Sequence, residues 1–119
     1  MLDWTIKVFV ADVERWLNGQ TPEARAKIEA RIRYLEVISE WKPPYVVKLT
    51  GYADLYEIRV IHSNKQYRLI GCYGPGKREF TILVGAIEKE GKYNPPSVFE
   101  TAERRIKLIL KNEGYTYEY

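Results

Sequence analysis

The sequence predicts an α+β fold: a small twisted sheet, antiparallel or mixed, with two N-terminal helices and one C-terminal helix packed on one of its faces. Three observations carry this reading. Residues 55–89, LYEIRVIHSNKQYRLIGCYGPGKREFTILVGAIEK, hold three runs that alternate apolar and polar at period 2, namely Tyr56-Ile58-Val60, Tyr67-Leu69 and Phe80-Ile82-Val84. Two other stretches carry apolar stripes at helical spacing, one before this strand-rich segment and one after it. The resulting order of strand, two helices, about four antiparallel strands and one helix is that of a two-layer sandwich.

Taken in order, Trp4 to Phe9 alternates and suggests a first strand with Trp4, Ile6 and Val8 on one face. Val10 to Leu17 follows as a short helix closed by Asn18-Gly19. Thr21-Pro22-Glu23 opens the longest helix: Thr21 can cap, Pro22 suits the first helical position, and Glu23 complements the positive end of the dipole. Its stripe is Ala24, Ile28, Ile32, Leu35 and Ile38, with Arg25, Lys27, Arg31 and Arg33 read as a solvated face, and Pro43-Pro44 ends the helical pair. Tyr45 to Leu49 is a short strand.

The three-strand meander follows. Ser63-Asn64 fits a two-residue hairpin loop, which places His62 opposite Lys65, Val60 opposite Tyr67 and Ile58 opposite Leu69. A second loop at residues 74–77 would place Tyr67 opposite Val84 and Leu69 opposite Ile82. Residues 88–96 read as a polar loop leading to a helix capped by Ser97 with Glu100, or by Asn94 before Pro95. The stripe of that helix is Phe99, Ala102, Ile106, Ile109 and Leu110, and Gly114 ends it. Tyr115 to Tyr119 is a tail, frayed or packed as an extra edge strand.

With 119 residues the chain reads as one domain, residues 1–119, large enough for a real core. The net charge of +3 permits nucleic-acid binding without arguing for it. A single cysteine, Cys72, excludes an internal disulfide and reads as a small buried hydrophobe on a strand. His62 is the only histidine, so neither a histidine-rich metal site nor a Cys/His cluster can be assembled. No apolar run reaches membrane-spanning length and the first residues do not begin a signal peptide, so a cytoplasmic protein is expected.

The hairpin register also sets Arg59 opposite Arg68 on the polar face, with Glu57 two residues along. Like charges facing each other across a ladder are destabilising, and an anion-binding face has a use for such a pair. Arg59 and Arg68 are therefore the first site candidates.

The string Leu55-Tyr56-Glu57-Ile58-Arg59, then Tyr67-Arg68-Leu69-Ile70, a strand ending in Gly85, a lysine loop, a proline and a helix with Ala102 and Arg105 resembles the RelE/ParE superfamily of toxins. The phage-derived, HigB-like branch is the most similar. That resemblance implies a small cytoplasmic ribonuclease that cuts messenger RNA on the ribosome and is held in check by a cognate antitoxin, a small helix-turn-helix protein. It implies no metal or cofactor: the 2′-OH beside the scissile phosphate attacks, and basic side chains stabilise the charge that develops. Lys89, Lys92 and Tyr93 join Arg59 and Arg68 as site residues on this basis. Where the family carries Gly-Phe-x-Lys-Lys, this chain has Gly85-Ala86-Ile87-Glu88-Lys89, so an alanine replaces the aromatic and a carboxylate the first lysine. A gyrase inhibitor of the ParE kind and a catalytically weak homologue that still holds an antitoxin are the alternatives.

Overall fold

A computed structural model describes residues 2–119, the side chain of Glu113 excepted. The strands are β1 (Thr5–Phe9), β2 (Val46–Lys48), β3 (Tyr56–His62), β4 (Lys65–Tyr73), β5 (Glu79–Lys89), β6 (Lys92–Asn94) and β7 (Thr116–Glu118). The α-helices are α1 (Asp12–Asn18), α2 (Pro22–Val37) and α3 (Val98–Lys111). The sheet runs β2-β3-β4-β5-β1-β7, with β6 paired to the far end of β5. It is a mixed, open sheet, because β1 lies parallel to β5 while the other pairs are antiparallel. The α+β class and the mixed sheet are as the sequence predicts.

Helix α2 starts as its sequence dictates. The Thr21 hydroxyl accepts from the Ala24 amide at 3.1 Å, and Pro22 takes the first turn. Ala24, Ile28, Ile32 and Leu35 are buried. The helix stops at Val37, well before Pro43-Pro44. The segment between them folds Trp41 onto Phe80, with the indole N–H donating to the Leu35 carbonyl at 2.9 Å.

The helices do not all share one face. Tyr67 meets the edge of Trp16 from α1, and a Cβ at Gly85 would run into that same indole, so α1 covers the face carrying Tyr67 and Gly85. Helix α2 joins it through Trp41, which packs on Phe80 and bonds the Leu35 carbonyl. Successive strand residues point to opposite sides. Tyr93 of β6, which reaches Glu57 on the other face, packs on Phe99 of α3, and Arg105 of α3 lies over Phe9. Helix α3 therefore lies on the second face, where it covers the end carrying Phe9 and Cys72. That is why the middle of β4 and β5 is buried on both sides, from Arg68 to Cys72 and from Phe80 to Ala86.

The β3–β4 register is the expected one, with Ser63 and Asn64 both at positive φ in the turn. The β4–β5 register is not: Tyr67 pairs with Ile87 and Leu69 with Gly85. The connection runs to residue 78 rather than 77, and Ile82 and Val84 pair with the adjacent residues Gly71 and Ile70, which leaves Leu83 as the extra residue of a bulge. The polar stretch after β5 holds a further strand, β6. At the start of α3 neither expected cap forms. Asn94 belongs to β6, and Ser97, at φ −87° and ψ 14°, lacks the extended backbone that lets a capping hydroxyl reach back. Leu110 is 68% exposed rather than buried, since the covered stripe runs through Val98, Ala102 and Ile109. The tail, after a single 3-10 turn, is the edge strand β7 on β1.

Candidate functional site

Four strands bring six polar side chains to one end of the second sheet face. Arg59 stands opposite Arg68, Gln66 opposite Glu88, and Glu88 opposite Tyr93. Glu57 lies one row further in. Ala86, the partner of Arg68, adds only a methyl group to this row.

The set is built around Glu57, whose side chain has no exposed surface. One carboxylate oxygen accepts from Arg59 Nε at 2.7 Å and lies 3.6 Å from Arg68 Nε. The other accepts from the Tyr93 hydroxyl at 2.6 Å. Arg68 is nearly buried and is held by three further groups: Glu88 at 2.8 Å, the side-chain oxygen of Gln66, and its neighbouring carbonyl Tyr67. Arg59 keeps 38% of its side-chain surface open to solvent. Two guanidinium groups thus face two carboxylates, and the like-charge clash that the register implied is relieved by Glu57 between them. Burial, then the hydrogen bond to Glu57 and the charge of that carboxylate, push the Tyr93 hydroxyl well above its ordinary range. Tyr93 is accordingly a protonated donor at neutral pH.

The structure brings Arg59, Arg68 and Tyr93 together. It does not bring Lys89 and Lys92 to them. These two are register partners at the tip of the β5–β6 hairpin, which turns on Glu90 and Gly91 at positive φ. Both are exposed, and strand alternation sets them on the opposite side of the ribbon from Glu88 and Tyr93. His62 sits at a hairpin corner opposite Lys65. Cys72 is buried, and burial pushes its thiol up to about 12.

Four participants, Arg31, Tyr45, Ile61 and Gln66, carry no signal in the sequence. Arg31, assigned to a solvated helix face, donates from Nη1 to the Arg59 carbonyl at 2.7 Å, and its guanidinium lies 4.3 Å from the centre of the Tyr45 ring. With Tyr45, Ile61 and Gln66 these residues extend the arginine pair into a groove of about 340 Å³. No sequence periodicity links residue 31 to residue 59. Among the described residues no group of three or more His, Cys, Asp or Glu side chains is placed to hold a metal ion.

A family model described as phage derived protein Gp49-like (DUF891) matches residues 15–107, which include every residue of this constellation. The chain belongs to the Gp49-like family. That family lies within the RelE/ParE-like toxin superfamily, whose members are typically paired with an antitoxin. The Gp49-like chain is also 31% identical over 120 residues to the DNA import protein CedB of Sulfolobus acidocaldarius, an alignment covering 91% of this chain and 20% of that protein. It thus spans about one fifth of the length of that relative. No solved structure matches it. Among the described residues no helix is long and apolar enough to cross a membrane.

Proposed function

We propose that this Gp49-like chain is the toxin of a type II toxin–antitoxin pair, a cytoplasmic endoribonuclease of the HigB-like branch that cuts messenger RNA on the ribosome. The observation that carries this reading is the convergence of Arg59, Arg68 and the Tyr93 hydroxyl at the open end of one sheet face. Arg59, the exposed arginine, exchanges part of its contact with Glu57 for a phosphate oxygen, while Arg68 supplies positive charge from behind. The ribose 2′-oxygen attacks phosphorus as its proton passes to solvent. The bond to the 5′-oxygen breaks as the Tyr93 hydroxyl turns from Glu57 and gives its proton to the departing oxygen. The tyrosine regains a proton from solvent, which balances the one lost by the 2′-oxygen. Positioned cations act where negative charge develops. Lys89 and Lys92, outside this constellation, hold the RNA strand nearby rather than the reacting phosphate. A relative named for DNA import supports nucleic acid as the class of ligand.

The test is 5′-end mapping of messenger RNA after brief induction. New 5′-hydroxyl ends that persist under EDTA, with 2′,3′-cyclic or 3′-phosphate partners, are the expected result. Ends carrying 5′-phosphate overturn the mechanism, and loss of supercoiling without cleavage gives the case to gyrase inhibition. A second reading, a catalytically weak homologue that keeps its antitoxin, is favoured by one observation: Glu57 and Glu88 already occupy both arginines. Glu88→Lys separates the two, because it raises cleavage if that carboxylate is what holds the site back.

A further inference from the structure

We propose that the groove beside the arginine pair seats a base of single-stranded RNA, stacked against the Tyr45–Arg31 pair and adjoining the phosphate at Arg59. This rests on the RNA reading given above and names where the strand runs.

Three properties of the groove point to that occupant. First, three of its lining residues are arginines and none is acidic, so beyond the Glu57 and Glu88 contacts it favours an anionic chain. Second, its wall carries exposed flat surface. Tyr45 is 37% exposed with the Arg31 guanidinium over its ring, and Tyr34, outside the groove, meets that ring edge to face at 5.6 Å. Bases stack on aromatic rings and on guanidinium planes alike. Third, the platform is held in place before any ligand arrives. The bond from Arg31 Nη1 to the Arg59 carbonyl fixes the guanidinium and leaves its remaining N–H groups for a phosphate. Ile61, 64% exposed on the same side, offers apolar contact to a sugar or base edge.

The experiment measures binding of a fluorescein-labelled, 2′-O-methyl uridine hexamer, which cannot be cut through its 2′ position, across a range of salt. Tyr45→Ala is expected to weaken binding by about 5- to 150-fold, the equivalent of one lost base stack, while Tyr45→Phe stays close to wild type. Arg31→Ala is expected to lower the slope of log K against log salt by about 0.7. Arg31→Lys restores that slope and still binds more weakly, because the flat plane is gone. Lys77→Ala, in the loop at residues 74–78, serves as the unaffected control. Equal binding by wild type, Tyr45→Ala and Arg31→Ala overturns the proposal, as does a wild type that ignores the hexamer and takes an acidic peptide instead. Hexamer binding that depends on Tyr45 in a protein that cuts no messenger sustains the groove and removes the cleavage reading. Cleavage that proceeds equally in wild type and Tyr45→Ala does the reverse.

Discussion

Glu57 decides what the two arginines are worth. The register alone suggests that removing either would relieve a repulsion, but each now satisfies a carboxylate shut away from water. Arg59, more than a third exposed, is expected to cost about 1 kcal/mol or less when changed to Ala, since solvent screens its pair. Arg68→Ala strips a buried pair of its cation and is expected to cost about 3 kcal/mol. Urea unfolding of the two variants checks the difference, and equal costs would remove Glu57 from its central place. In cleavage the order reverses: Arg59→Ala is expected to slow the reaction by about 10²–10³-fold in a protein that remains folded. The sequence showed Arg59, Arg68 and Glu57 on one face because period 2 and a two-residue turn determine that much. Tyr93 was legible only through resemblance, since a three-residue strand of Lys, Tyr and Asn has no periodicity of its own.

Among the elements, β5 carries the most, pairing with β4, β1 and β6. At Gly85 it lets the Trp16 indole lie directly on the strand, and a methyl group there would meet ring atoms. Gly85→Ala is accordingly expected to destabilise the fold by about 1–3 kcal/mol, with Trp16→Leu in the same chain recovering part of it. Thermal unfolding of the single and double variants tests this, and additive losses would show that the indole is not the obstacle. The same strand shows where periodicity fails as a guide. Alternation correctly marked Phe80, Ile82 and Val84 as strand, yet the bulged Leu83 breaks the period, so the faces before and after it cannot be joined by counting. The parallel contact of β1 with β5 is likewise silent in the sequence, because it forms across the whole helical segment. Helix α2, with its cap and proline, was readable to within a residue at its start because those signals are local.

For the molecule as a whole, burial raises the proton affinity of several acids at once: Cys72 to about 12 from 9.0, and Tyr73, Tyr93 and Tyr119 above 10.0. The folded chain holds these protons where the unfolded chain releases them. Their contribution to stability is therefore full below about pH 9 and is lost as pH rises toward 12. Urea midpoints at pH 8, 9.5 and 11 measure the fall, and Cys72→Ala is expected to flatten its first part. A flat profile in the unaltered protein would contradict the burial of these groups. The pairing of β7 with β1 has a mechanical consequence. The Tyr119 amide bonds the Ile6 carbonyl, so the two ends of the fold lie side by side on antiparallel neighbours. A pull on the C-terminus loads the bonds of β7 one after another and peels it away like a zip, because that strand ends the sheet and pairs, among the described residues, with β1 alone. A pull on the N-terminus must drag β1 out from between β5 and β7. An ATP-driven unfoldase is thus expected to thread the protein faster from a C-terminal tag than from an N-terminal one, and the first grip it wins is the release of Tyr117 and Tyr119 from Glu14 and Arg33.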